Sequence, residues 1–447
     1  MFDQVDEPSF RLDVAGLSDP FEVLAFTGSE AISEPFAFEI DLLIDDPQLD
    51  LAGLLHRAAY LSFGAGENGV HGHLQSLVQH EHGDAARLCR VRLGARLNCL
   101  ALRFSQRIFS ARSVPQILRQ VLKEHGIAGA QCRFELSAEY PVQAFCTQYR
   151  ESDLAFMQRI CARARIHFRF EHTRSGHCLI FGDDPAHLPE ARMVRLDADA
   201  DDGNHVQRWH VRSEVQTSGQ MSSQSPTAEG HTRLSALRAG QWLSVRGHPF
   251  SECNGQWLLN RIEHHADQSR EPPYSNRIFC NGSTASLVTT GLTRPRMQSL
   301  QRAWVVTVDE PRPDLSRPVA VQFDWLYQGE GAAPSHCWLP LAPALANTSQ
   351  AMLRDGVEVV VSFFEGDPDQ PLISGVLQRG ENLHEAVNEA PIRLPDTLLS
   401  EGLPQLLKSA EPLLLLCLIP GGGSFNHCPE AVCSCRLITA LDPSGGR

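Results

Sequence analysis

Residues 35–44 (PFAFEIDLLI) alternate apolar and polar positions at first, and Phe36, Phe38 and Ile40 fall on one side of a pleated strand. The stretch 58–78 (AAYLSFGAGENGVHGHLQSLV) reads as two strands around a glycine-rich turn, and most of residues 1–110 follows this short-strand habit. The period changes at residue 113. In SVPQILRQVLKEH, Ser113 with Gln116 three positions on forms a capping box, Gly126 can close the helix, and Val114, Ile117, Leu118, Val121 and Leu122 make one apolar stripe. A second helix is predicted over roughly 152–164. Strands at 166–170 (IHFRF) and 177–181 (HCLIF) follow, joined by a turn through Arg174, Ser175 and Gly176. Residues 214–230, rich in Ser, Gln and Gly, read as a long exposed loop, and strands resume near 241–247 and 256–265. Residues 281–301 turn small and polar and mark the main domain boundary. Beyond it, residues 303–378 hold five short strands, the number expected of a small Greek-key barrel such as an OB fold. From about 383 the pattern degrades into an irregular tail.

Composition narrows the possibilities. A chain of 447 residues suggests two or more domains, and 42% apolar with 21% charged residues is ordinary for a protein with a substantial core. Acids outnumber bases by 53 to 39, a net charge of −14 that argues against a nucleic-acid partner. The imbalance is uneven: residues 1–60 hold 13 acids and two bases, whereas residues 85–170 hold 15 bases and five acids. Such blocks suit two parts of one assembly. Thirteen cysteines without a repeating spacing do not form a disulfide framework, and the opening MFDQVDEP lacks the basic-then-apolar order of a signal peptide. The longest apolar run, Leu413–Ile419, is far below the ~18–20 residues of a membrane span, so no stable membrane insertion is expected. These features place the folded chain in a reducing cytosol.

Candidate chemistry is sparse. Gly64, Gly66 and Gly69 match the dinucleotide fingerprint GxGxxG, but a β-like segment follows where a helix is needed, so a hairpin turn is the better reading. His71, His73, His80 and His82 cluster in one segment, but no nearby carboxylate or thiol completes an evident zinc set, although Glu81 is adjacent, and alternation puts His80 and His82 on the same face as Leu74 and Val78. His427, Cys428, Cys433 and Cys435 lie close together near the C-terminus, at a spacing unlike the paired CxxC of zinc ribbons, and leave zinc as a minor alternative to free thiols. Ser424 lacks the closing glycine of a nucleophile elbow. The acid pairs Asp183–Asp184 and Asp201–Asp202 sit in turn-like contexts. No catalytic residue, cofactor or metal site is nominated.

Residues 148–172 (QYRESDLAFMQRICARARIHFRFEH) carry a different kind of signal. Ser152 can cap the helix, Glu151 and Asp153 suit its positive end, and Leu154, Met157, Ile160, Cys161 and Ala164 form a packing face. This unit resembles the valine–glycine repeat protein G (VgrG) family, spike proteins of bacterial type VI secretion that are related to phage tail-hub and spike proteins. Residues 248–267 with 274–280 are similar to the closing strands of the family's hub, and 294–306 to its passage into the OB fold. Residues 355–377 (DGVEVVVSFFEGDPDQPLISGVL) resemble its Gly-x-Glu-Val strand and Glu-Gly-Asp-Pro-Asp-x-Pro turn. In that segment Val357, Val359, Val361 and Phe363 share one face while Val360 and Phe364 occupy the other, so the strand calls for cover on both sides.

The resemblance implies a mainly β fold with some helix: a β-barrel-containing tail-hub-like domain over 1–295, an OB-fold barrel over 300–382, and an irregular tail over 383–447. The valine- and glycine-repeating β-helix that forms the family's needle is missing after residue 382. The implied role is a structural, non-enzymatic spike or tip component, a homotrimer on the inner-tube protein of a contractile injection apparatus, cytoplasmic before firing and then secreted without a signal peptide. A tip, adaptor or effector protein is expected on the tail. A prophage tail hub, or a degraded or effector-carrying copy, remains open as an alternative.

Overall fold

The computed structural model describes residues 10–377 apart from 47, 65–67, 83–86, 197–204, 213–225, 283–292, 310–317, 325–335 and 346–351. The fold is mostly β. It divides into two compact units, one of residues 1–104, 112–143 and 151–294, the other of 105–111, 144–150 and the chain from Pro295.

The first unit begins with β1 (Phe10–Val14), β2 (Phe21–Ala31), β3 (Glu34–Ile44), β4 (Ala58–Phe63), β5 (Gly69–His82) and β6 (Arg87–Gly94). Their order is β1-β4-β5-β6-β3-β2, and β1 also pairs with β2, which closes a six-stranded barrel. Closure leaves no edge exposed. The alternation read in 35–44 is real: Phe36, Phe38, Ile40, Leu42 and Ile44 of β3 are all within 1% of complete burial. Across the barrel wall β3 and β6 set the two charge blocks side by side. Asp41 faces Arg90 with bonds of 2.7 and 2.8 Å, and Glu39 faces Arg92 at 3.7 Å. Part of the charge complementarity is thus satisfied inside one chain, because strand register places the blocks opposite each other.

The chain continues through β7 (Phe104–Arg112), α1 (Val114–Glu124), β8 (Cys132–Glu135), β9 (Gln143–Ser152), α2 (Asp153–Ala164), β10 (His167–Thr173) and β11 (Gly176–Gly182). The capping box of α1 forms, with the Ser113 amide donating to Gln116 Oε1 at 2.9 Å, and all five residues of its predicted stripe are buried. Ser152 caps α2, its hydroxyl accepting from the Ala155 amide at 3.2 Å. Of the predicted face of α2, Met157, Ile160 and Cys161 are buried while Leu154 and Ala164 are half-buried; Phe156 and Asp153 are buried as well, and so is Arg159, paired with Glu151 at 2.7 Å.

A second six-stranded ring follows, from β12 (Val194–Leu196), β13 (His205–Arg212), β14 (Thr227–Thr232), β15 (Trp242–Arg246), β16 (Gly255–Asp267) and β17 (Tyr274–Gly282). Its order is β16-β15-β12-β13-β14-β17, closed by β16 with β17 and joined to the first barrel along β2–β16. Residues 227–230, expected in a loop, belong to β14, where Ala228 and Gly230 point into the ring and polar neighbours point out. Phe26, Phe63 and Tyr274 pack at 5.2–6.3 Å, so one aromatic core serves both rings.

The second unit holds the five strands predicted over 303–378: β18 (Gln301–Val305), β19 (Val319–Phe323), β20 (Cys337–Leu339), β21 (Glu358–Phe363) and β22 (Pro371–Leu377). The sheet order is β20-β19-β18-β21-β22, and Leu341 pairs in parallel with Ile373 to bring its ends together. Val359, Val361, Phe323 and Ile373 line its core with no exposure. On the other face of the β21 segment Val360 is half-buried and Phe364 is 59% exposed.

Candidate functional site

The Glu-Gly-Asp-Pro-Asp-Gln-Pro turn between β21 and β22 is a joint. Asp367 accepts from the Asp369 amide at 3.0 Å, which shapes the turn, and Glu365 and Gly366 bend it through left-handed backbone at φ 52° and 75°. A side chain at Gly366 would press on the Met297 carbonyl at 3.3 Å. The turn then grips Thr147 of β9, which lies 222 positions earlier in the chain. The Thr147 amide donates to Asp369 Oδ1 at 2.6 Å, and its hydroxyl donates to the Pro368 carbonyl at 2.8 Å. Thr147 is fully buried and Tyr149 joins the barrel's apolar core beside Met297, Val359 and Phe363. Residues 105–111 and 144–150 of the paired strands β7 and β9 therefore fold with the barrel. This arrangement holds parts together and has no chemical group poised to react.

Three clusters of titratable groups lie in the first unit. His71 and His73 of β5 meet His172 and His177 of β10 and β11, with ring centroids 5.3–6.1 Å apart. The Arg96 amide donates to His177 Nε2 at 3.3 Å, so His177 Nδ1 carries the proton and donates to His71 Nδ1 at 3.1 Å. His172 Nδ1 donates to the His71 carbonyl at 3.2 Å. His73 Nδ1 and His172 Nε2 are buried without a hydrogen-bond partner. Burial, then the neighbouring imidazoles, push His177 down to about 3; burial and His73 bring His71 to about 4. Burial also lowers His172 to about 4, and it lowers His73, with Arg96 adding to it. The cluster is neutral at pH 7. Among the described residues no group of three His, Cys, Asp or Glu is placed to hold a metal ion.

The second cluster is buried where the two rings meet. His264 Nε2 donates to Glu30 Oε1 at 3.1 Å and its Nδ1 accepts from the Tyr274 hydroxyl at 2.7 Å. Burial alone would raise the Glu30 carboxyl, but Arg238 at 3.9 Å and His264 overcome it and hold it at about 2. Burial keeps His264 low and neutral. In the third cluster Cys99 Sγ lies 3.6 Å from His125 Nδ1, and His125 Nε2 lies 2.7 Å from Asp153 Oδ2.

Of the residues singled out in the sequence, His71 and His73 are brought together, whereas His80 is exposed further along β5. Register shifts at Leu74/Ser76 and Gln79/Glu81 break the alternation that put Leu74, Val78 and His80 on one face; Leu74 is buried and Val78 is 51% exposed. The glycine-rich segment is the β4–β5 hairpin, with Ser62 opposite Gly69 and Gly64 at φ 84°. Gly66 lies outside the described residues, as do Asp201, Asp202, Ser424, His427, Cys428, Cys433, Cys435 and the whole of 383–447. Asp183 accepts from the Ser137 and Ala138 amides and the Tyr140 hydroxyl at 2.7–2.9 Å, a loop clamp rather than an acid–base pair with Asp184. His172, His177, Cys99, His125 and Asp153 carried no signal as clusters in the sequence, because each set is assembled from strands and helices far apart in the chain.

Residues 29–225 match the family described as phage tail baseplate hub (GPD). The type VI secretion system spike protein VgrG5 of Pseudomonas aeruginosa is 32% identical over 96% of this chain and 62% of its own length. The spike protein VgrG4b of the same organism is 30% identical over 88% of this chain and 58% of its own. The chain thus spans about three fifths of the length of the curated relatives it matches. A solved Escherichia coli component of the type VI secretion system, described as structurally similar to the T4 bacteriophage tail proteins gp27 and gp5, shares the fold. It superposes with a TM-score of 0.68 at 23% identity, covering 82% of this chain and 99% of that one.

Proposed function

The chain belongs to the VgrG family of type VI secretion spike proteins, and on that premise we propose that it acts as a homotrimeric hub on the inner tube of a contractile injection apparatus. In this reading it helps to deliver effector proteins and is itself carried out of the cell without a signal peptide. The observation that carries it is the joint at Thr147. A mid-chain strand pair folded into the spike-base barrel is a mechanical attachment rather than a reactive centre. The half-covered outer face of β21, with Phe364 and Leu300 exposed at 59% and 66%, supports a role for neighbouring subunits in covering the barrel. The chain's own role is structural, without catalysis by the spike itself.

The tail 383–447 is the proposed seat of a tip, adaptor or effector protein, on the strength of its leucine pairs and prolines. A second reading, a tail hub of a prophage or phage-tail-like particle, is favoured by the match to a phage baseplate hub family. One experiment separates them. The tagged protein is expressed in cells carrying the type VI apparatus and in cells lacking its sheath, with and without residues 383–447. Sheath-dependent appearance in the medium, with one co-secreted partner lost on truncation, supports the spike role. Export independent of the sheath contradicts it.

A further inference from the structure

Cys99 lies in a short 3-10 turn after β6, His125 ends α1, and Asp153 opens α2. These three separate elements bring a thiol, an imidazole and a carboxylate into a line. Cys99 Sγ faces His125 Nδ1 at 3.6 Å, and His125 Nε2 faces Asp153 Oδ2 at 2.7 Å. The Asp153 carboxylate is fully buried and held by Arg103 Nε at 2.6 Å, so it cannot swing away. An ionised Asp153 accepts only, which makes His125 Nε2 the protonated nitrogen and leaves the Nδ1 lone pair aimed at the thiol. That is the tautomer a general base needs, with the third group orienting the second. Cys99 itself is partly exposed, unlike Cys89, Cys146, Cys161, Cys280 and Cys337.

We propose that Cys99 is a thiol–disulfide exchange site for low-molecular-weight disulfides, with His125 as its base and Asp153 as the residue that positions His125. The incoming disulfide is attacked by Sγ as the Cys99 proton passes to His125 Nδ1. A new S–S bond forms to Cys99, the old S–S bond breaks, and the departing thiolate leaves with the electron pair and takes the proton from the imidazolium. No further oxidant is needed. The charged groups around the thiol act in both directions. Burial raises it, Arg96 and Arg103 lower it, and Asp153 raises it, so it rests as the thiol and depends on the base at the moment of attack. Arg103 is itself shared with Glu124.

The test uses the full chain and dithiobis(nitrobenzoate), a small aromatic disulfide, at limiting concentration and short times, with each cysteine's mixed disulfide quantified by mass spectrometry. Cys178 and Cys253, also partly exposed, serve as internal references. The proposal expects Cys99 to react at least tenfold faster than either. It also expects His125→Gln to slow Cys99 about tenfold while leaving Cys253 unchanged, which a loss of fold would not do. If that variant does not fold, the pH profile of the parent decides. A Cys99 rate that has levelled off by neutral pH supports base assistance. A rate that climbs tenfold per pH unit toward the ordinary thiol range of ~8.5 overturns it, as does Cys99 labelling no faster than Cys253.

Discussion

Four imidazoles packed between a barrel wall and the β10–β11 hairpin must all stay neutral, and this makes the first unit sensitive to acid. His71 and His172 titrate at about 4 and His177 at about 3 in the fold, against an ordinary value of 6.5. Below 6.5 the unfolded chain binds protons that the folded one refuses, so stability is complete above that pH and falls as pH drops toward 4. The expected loss is on the order of a few kcal/mol by pH 4. Thermal melts between pH 7 and 4 check it: the midpoint should fall steeply from pH 6.5, and His177→Gln should flatten the slope. A midpoint independent of pH over that span would mean that the imidazoles are solvated. Of this cluster the sequence discloses only half. The i, i+2 spacing of His71 and His73 on a strand is readable, but His172 and His177 reach them through the packing of a distant hairpin. The Cys99–His125–Asp153 line was invisible for the same reason, and Asp153 reads simply as a helix-start acid.

Elements whose signal is local were legible. The alternation in β3 and the cap and stripe of α1 each depend on residues within a few positions of one another. Where the prediction missed, a longer-range force prevailed. The Arg159–Glu151 pair widens the buried face of α2 with a charged residue, register shifts break the alternation of β5, and pairing with β13 and β17 recruits 227–230 into a strand. The turn after β21 was legible as turn chemistry, but its grip on Thr147 was not, since no spacing rule links residues 222 apart. Its energetics can be measured against those of the strand that leads into it. Val359→Asp places an unpaired charge at a position with no exposure and should cost several kcal/mol. Thr147→Val strands the Pro368 carbonyl and should cost about 1–3 kcal/mol. Denaturant melts of both variants check this. Parent-like melting of Val359→Asp would show that the barrel core is misplaced.

At the scale of the whole molecule, two closed rings and a small barrel leave few unpaired strand edges among the described residues, yet large apolar side chains remain exposed. Leu300, Phe364 and Leu377 of the second unit are 66%, 59% and 43% exposed, and Leu102 and Phe104 of the first reach 85% and 72%. A secreted or cytosolic monomer gains nothing from such residues, whereas a closed cyclic assembly would bury them. Trimerisation is therefore the claim on which the spike reading turns. Light scattering on the purified protein at tens of micromolar measures it directly. The account predicts a particle of three times the 49.4 kDa chain mass. A strictly monomeric species at that concentration would contradict it.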